Sequence, residues 1–548
     1  MNTTDTTAQA DAVRLTTEEF GRIEVDTVPL PTGALDVYAT YTFSGKIFLL
    51  YRREEDPADQ QIFHAAVIDD DGSDYHHIFS GPIPQHARAN GIRAMMFPDD
   101  RRVLLGDYVL ECEPDMNTAT STRLIDVVYP WDQEQDPRTT HHWSEIIVAP
   151  DNEHIAWTIL RADMGAAAAV GRLRRITDAY VIDDPRLIST VDAFVPDPVR
   201  TGCMIPQPMR GGEVKQFVRG GAAISAAGGV DGMLPDSVVQ SLDSGEVTQI
   251  TRGPGYDETT IFSPDEALGL VMTARASPRT DLGVLGLLPR PHVTHTLAPI
   301  AWIVYAYSVT GVRDHRPGNV GPVLIDVEKS RHDPSYQGVA LHDPTEHWVY
   351  VSPMSWHPSG TRAAWLEVPR GSERSRPIRE VRIRRARLLD IRPGEVVTPA
   401  AVPERIPYAI SGETAEQALW NPAPSPTSVR IAGRSGGHLE LERRPADLTR
   451  GVAGSTTVRY VDYSDDGMSV YRGTERLDSS FTEDTVYEAD VELTGPVPGR
   501  MQLRATWTPL ASSDPARLRF EQALDGSPAT FGFARYGDEH REITDLEA

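Results

Sequence analysis

Short runs of alternating apolar residues recur along the chain, each behind the same turn: an apolar residue, any residue, Pro, a polar pair, then a strand. Met96-Phe97-Pro98-Asp99-Asp100 precedes Val103-Leu104-Leu105, and Val148-Ala149-Pro150-Asp151-Asn152 precedes Ile155-Ala156-Trp157. Phe262-Ser263-Pro264-Asp265-Glu266 precedes Leu268 to Met272. Looser copies are Trp356-His357-Pro358-Ser359-Gly360 and Trp420-Asn421-Pro422, and a degenerate one, Phe43-Ser44-Gly45, precedes Ile47 to Leu50. Period-two alternation makes a half-buried strand, and Pro followed by Asp makes a tight hairpin turn. Further pieces repeat downstream. Tyr180 to Asp183 and Val323 to Asp326 read as third strands, and Asp243-Ser244-Gly245-Glu246 turns into an outer strand, Val247 to Thr251.

Four strands per unit at a spacing of about 50 residues predict the blades of an all-β propeller. Blade starts fall near 34, 86, 141, 207, 256, 346 and 411. The fourth lacks the Pro turn and uses Val214 to Val218 as its first strand. The count is seven blades, or eight if Val458 to Tyr471 forms another, with Arg22 to Val28 closing the ring. The expected division is an N-terminal segment over 1–33, a propeller over 34–454 and a C-terminal β-sandwich-like domain or cap over 455–548. Strands such as Val486 to Leu493 and Met501 to Trp507 signal that last part.

These turns and strands resemble the TolB-like propeller repeat, in which a Ser-Pro-Asp-Gly-like turn joins the first two strands and a Thr-Gly-Glu-like turn the last two. The resemblance spans roughly residues 34 to 450. It implies the fold and says little of function, because such propellers serve as binding proteins, peptidase appendages and lyases alike. Among them are cytoplasmic oligogalacturonate lyases, which hold a divalent metal with channel histidines. By that resemblance the expected function is an intracellular enzyme acting on a sugar or sugar-derived acid, with metal-assisted lyase chemistry. A non-catalytic scaffold for a protein partner, or a metal-dependent hydrolase or lactonase, remain the alternatives.

Charge narrows the partners. With 53 basic against 79 acidic side chains, the formal charge of −26 disfavours nucleic acid. Two cysteines, Cys112 and Cys203, exclude a disulfide framework and a thiolate metal site. The polar N-terminus and the lack of a long apolar run give the expectation of a cytoplasmic protein that does not engage a membrane.

In a four-stranded blade the Pro-Asp turns lie on one face. Loops leading into the inner strands lie on the other, where they converge on the central channel. Those loops offer His86 and Arg93 for blade 2; His141, His142 and Glu145 for blade 3; Tyr256, Asp257 and Glu258 for blade 5; Glu346 and His347 for blade 6; and Glu413 and Glu416 for blade 7. His or carboxylate at one station in several blades suits acid–base or divalent-metal chemistry. The catalytic candidates are therefore His142, Glu145, Glu258, His347 and Arg93. The metal candidates are His86, His141, His142, His292, His295 and His347, and the substrate expected is a small molecule or oligosaccharide.

An insertion in blade 5, Ser277 to Asn319, contains His292 and His295 and is apolar for a loop (Leu285 to Leu288, Ile300 to Tyr305). A lid over the channel, or a contact between copies of the chain, would explain that composition. Gly433-Arg434-Ser435-Gly436-Gly437 matches a nucleophile-elbow pattern but lies between two strands, so it reads as a hairpin turn. His76-His77 reads as an outer-strand pair of blade 1, away from the channel.

Overall fold

The computed structural model describes residues 12–543 apart from 58–59, 85–91, 132–145, 162–164, 190–193, 207–211, 229–233, 276–282, 291–297, 314–317, 372–379, 421–427, 448–449, 510–516 and 523–525. The described residues form six four-stranded antiparallel blades. Their inner strands are Ala34–Tyr41, Ala94–Met96, Ile146–Val148, Glu213–Val218, Asp257–Phe262 and Trp348–Trp356. Each inner strand touches the next, and the sixth returns to the first, so the ring is closed.

Blade 6 takes its outer strand from the N-terminus: Gly21–Val28 pairs with Arg382–Leu388 and carries Val13–Thr17 on its far edge. That strand buries Ile23, Val25 and Val28. Deleting residues 1–30 exposes a bare sheet edge and forfeits about 5 kcal/mol of apolar burial. The expected outcome is a melting temperature lower by roughly 10 °C, partly restored by a peptide of residues 12–29 added in trans.

Two expectations are corrected. There is no seventh blade near 411 among the described residues, nor an eighth at Val458 to Tyr471. After Leu388 the chain carries Pro393, Pro399, Pro403 and Pro407, which cannot donate to a sheet ladder. It runs instead across the Pro-Asp face. Gly394 donates to Asp265 at 2.6 Å, Val397 to the Pro264 carbonyl at 2.9 Å and Ala400 to the Gly220 carbonyl at 2.8 Å. A short helix, Gly412–Trp420, follows. From Ser428 onward every strand joins one ten-stranded sheet, so the C-terminal domain begins at 428 rather than 455. A hairpin from the blade 3–4 connection, Phe194–Pro196 and Met204–Pro206, extends this sheet alongside Ser428–Ala432.

The Pro-Asp turns also lock neighbouring blades together. The last turn residue adopts a left-handed conformation in Asp100 (φ 50°), Asn152 (φ 65°) and Glu266 (φ 58°). Each of these side chains accepts a backbone N–H from the preceding blade: Phe43 at 2.9 Å, Asp99 at 3.0 Å and Arg219 at 2.5 Å respectively. Asp and Asn tolerate that conformation better than most residues, so one turn position serves both hairpin and latch. Inner strands are stitched likewise, Val214 N–H to Thr158 Oγ1 at 2.9 Å and Phe262 N–H to Gln216 Oε1 at 2.8 Å.

The blade 5 insertion falls between the second and third strands, Leu268–Thr273 and Val323–Asp326, as the sequence indicates. Its apolar side chains are satisfied within this chain. Val284, Leu285, Leu287, Leu288, Ile300 and Ile303 share one core with Tyr460, Tyr487, Met501 and Trp507 of the C-terminal sheet. Two glycines permit the approach. A Cβ at Gly286 would sit 2.2 Å from the Pro254 carbonyl, and one at Gly499 would sit 2.3 Å from Leu288 Cδ1. At the centre Arg290, buried, donates to Glu475 at 3.1 Å and to the Tyr487 hydroxyl at 2.6 Å. Tyr460 and Tyr487 donate to the same carboxylate at 3.1 and 2.8 Å.

Candidate functional site

Four of the six inner strands carry a bulge, those of blades 1, 4, 5 and 6, and in the adjacent blades 4 and 5 the bulged residue is charged. In blade 4 the pairing steps from Val214–Ala226 to Gln216–Ser225, leaving Lys215 as the extra residue. In blade 5 it steps from Asp257–Thr273 to Thr259–Met272, leaving Glu258. A bulge re-aims the side chain it carries, and here the two bulged residues meet. Lys215 Nζ lies 2.8 Å from Glu258 and 3.0 Å from Glu213, with only 1% of its side chain exposed. The Tyr256 hydroxyl donates to the other Glu258 oxygen, and the Glu213 carboxyl also hydrogen-bonds Glu258.

One ammonium between two touching carboxyls fixes the electrostatics. Burial disfavours the ionised form of Glu258. The charge and hydrogen bond of Lys215, helped by Tyr256, outweigh that and hold its carboxyl below the usual range. Tyr256 is pushed far the other way, by burial and then by the Glu258 charge. Two carboxyls this close titrate as a pair rather than singly. Glu213, with 15% of its side chain exposed, is the member open to the channel.

The insertion roofs this cluster. Its helix Ala298–Ala306 brings Tyr305 within electrostatic reach of Glu258 and Glu213, and burial followed by those charges pushes its phenol up to about 12. The charges of Arg313 and Arg93 act on Tyr305 in the opposite sense. Arg370 pins the end of the insertion to blade 6, donating to the carbonyls of Arg313 and Gly318 at 2.8 and 2.7 Å and to Pro344 and Glu346 at 3.0 Å each.

Of the residues expected from the sequence, Glu258 and Arg93 come to this place. His347 lies at the start of the blade 6 inner strand and is exposed, while its neighbour Glu346 pairs with Arg382 at 2.8 Å. Asp257 is a brace, taking the Arg275 guanidinium in a buried ion pair. Glu413 and Glu416, read as the seventh blade's contribution, sit exposed on the helix that replaces it. His86, His141, His142, Glu145, His292 and His295 lie outside the described residues. Among the described residues no three His, Cys, Asp or Glu come together as a metal would need. The two carboxylates that do converge already share the Lys215 ammonium, so the described donors do not fit a divalent ion.

Glu213, Lys215 and Tyr305 were missed. The available signal was Lys215 itself, one of three lysines in the chain, set inside an apolar strand. Ser435 sits in a hairpin turn, as the sequence suggests, its hydroxyl donating to the Asp465 carbonyl at 2.8 Å.

No family model matches the chain, and no curated protein sequence matches it. Solved structures similar to it include TolB proteins and a β-propeller domain. The repeat is TolB-like, and the fold is a β-propeller. A putative TolB from Agrobacterium tumefaciens is 12% identical, with 55% of this chain and 76% of that one covered at a TM-score of 0.30. The propeller domain of the Trilobed protease from Pyrococcus furiosus is 8% identical over 66% and 97% of the two chains, at 0.33. A putative 6-phosphogluconolactonase from Bacteroides uniformis is 14% identical over 50% and 91%, at 0.25. Likeness this low decides nothing about activity, and the fold rests on the strand topology above. No helix among the described residues is long and apolar enough to cross a membrane.

Proposed function

We propose that the chain is an enzyme whose roofed channel mouth carries out acid–base chemistry on a small sugar-derived acid or its lactone. The observation that carries this reading is the convergence of two bulged charges, Lys215 and Glu258, with Glu213 beneath Tyr305. A lysine almost wholly removed from solvent and held between two carboxyls is the kind of charge arrangement that marks acid–base sites. Arg93 and Arg313 supply the positive charge that a carboxylate substrate needs.

Water addition to a lactone or ester suits these groups better than β-elimination. Glu213 passes its proton to the ionised Glu258 as it takes one from the attacking water; when the acyl–oxygen bond breaks, the departing alcohol oxygen takes a proton from Glu213, which recovers one from Glu258, while Lys215 keeps both carboxyls in place. Elimination needs a base strong enough to remove a carbon-bound proton. Glu258, held ionised by Lys215 and Tyr256, is too weak for that. The lyase reading therefore stands second, as does any step assisted by a metal.

The test is turnover on a panel of aldonolactones and unsaturated or saturated glycuronates. Glu213→Gln is expected to lower kcat about a hundredfold or more, the usual loss of a general base, with the melting curve little changed. Arg93→Gln should raise KM while largely sparing kcat. Full activity in Glu213→Gln would remove the site from consideration.

A further inference from the structure

Blade 1 carries a second chemical constellation, on its outer strands and away from the channel. His64 of the strand Ile62–Ile68 lies opposite Ser80 of the strand His76–Pro82. His64 Nδ1 is 2.7 Å from Ser80 Oγ, and His64 Nε2 is 3.1 Å from the Asp56 carboxylate. His77 Nε2 is also 2.7 Å from Ser80 Oγ. Asp56 is itself fixed by the Arg53 backbone N–H at 2.7 Å. His64 is 7% exposed and stacks on Tyr51 with ring centres 5.3 Å apart, whereas Ser80 is exposed to solvent.

For a neutral His64 beside an ionised Asp56, the donors in this chain of contacts follow from valence. An ionised Asp56 only accepts, so His64 Nε2 carries the proton and Nδ1 is the acceptor. The Ser80 hydroxyl must then donate to His64 Nδ1. Its one proton is spent, so His77 donates Nε2–H to Ser80 Oγ. The result is a serine whose proton points at an imidazole, and an imidazole oriented by a largely buried carboxylate, with the His77 N–H resting on Ser80 Oγ. This is the order of groups that activates a nucleophilic serine. His77 lies below the usual histidine range through burial and then the nearby His64 and Arg53, which keeps it neutral near pH 7. Arg53, beside Tyr51, leaves its Nε buried without a partner.

We propose that Ser80 is a second, independent nucleophile that cleaves small carboxylic esters at the rim of blade 1. Ser80 Oγ forms a bond to the acyl carbon as its proton passes to His64 Nδ1. The tetrahedral oxyanion collapses, the bond to the alcohol oxygen breaks, and the leaving alcohol takes the proton from His64. Water then attacks the acyl-serine by the same route, releasing the carboxylic acid and restoring Ser80. Asp56 is a positioning residue that holds the imidazole.

The experiment treats the full chain with a fluorophosphonate probe, in which Ser80 Oγ displaces fluoride from phosphorus, and locates the adduct by peptide mass spectrometry. The expected result is one fast-reacting site at Ser80, absent in Ser80→Ala and slowed about a hundredfold or more in His64→Gln and in Asp56→Asn. Asp56→Asn preserves shape and serves if the buried His64 variant fails to fold. Exposed Ser435, whose hydroxyl donates to a backbone carbonyl, is the internal control. Labelling of Ser80 no faster than Ser435, or unchanged by Asp56→Asn, would overturn the proposal. Ser80→Ala should leave channel turnover unaffected, which keeps the two sites separable.

Discussion

Lys215→Met is expected to destabilise the protein by about 3–5 kcal/mol and to abolish channel activity. Removing the ammonium leaves Glu213 and Glu258 facing each other with no counter-charge, and the penalty is that of burying an unpaired charge rather than losing a contact. Changing the carboxyls at the same time should recover most of the stability and none of the turnover. Lys215→Met/Glu258→Gln is therefore expected to melt several degrees above Lys215→Met. Thermal melts of the two single variants and the double variant form the cycle that measures this. Additive losses would mean that the three groups do not act together.

Arg290→Met is expected to have an effect of similar size with a different signature. Glu475 is fully buried in the C-terminal sheet, and Arg290 is the only cation that donates to it among the described contacts. Its loss should again cost about 3–5 kcal/mol, but here the strain falls on the seam between insertion and sheet. Limited proteolysis is expected to cut within residues 277–319 at least tenfold faster than in the wild type, while the blades stay intact. The Lys215 variant should keep the insertion protected. If Arg290→Met left proteolysis unchanged, the insertion would not depend on this ion pair for its place over the channel.

The sequence and the structure agree where one local rule sets the outcome. Pro-Asp turns announce hairpins because proline fixes φ and aspartate accepts the following N–H groups, as Asp151 does from Glu153 and His154. The apolar insertion announces a cover because that much hydrophobic surface must be buried against something. Agreement fails where the decision is not local. Trp420-Asn421-Pro422 imitates a blade turn, yet the proline-rich stretch before it had already left the sheet. Lys215 and Glu258 stand 43 positions apart and meet across two adjacent blades, each at a bulge. Neither bulge leaves a mark that period-two alternation would reveal. His64 and Ser80 are hidden similarly, since their contact depends on strand register across a hairpin.

The most direct test of the roofed channel mouth is a hydrogen-exchange footprint of a bound sugar acid. The protein is saturated with an aldonate such as gluconate, and exchange is followed peptide by peptide. Protection is expected at the starts of the blade 4 and blade 5 inner strands, Glu213–Val218 and Asp257–Phe262, and over the helix Ala298–Ala306, with little change elsewhere. Protection confined to the opposite Pro-Asp face, or to the C-terminal sheet alone, would contradict a binding site formed by Glu213, Lys215 and Glu258 beneath Tyr305.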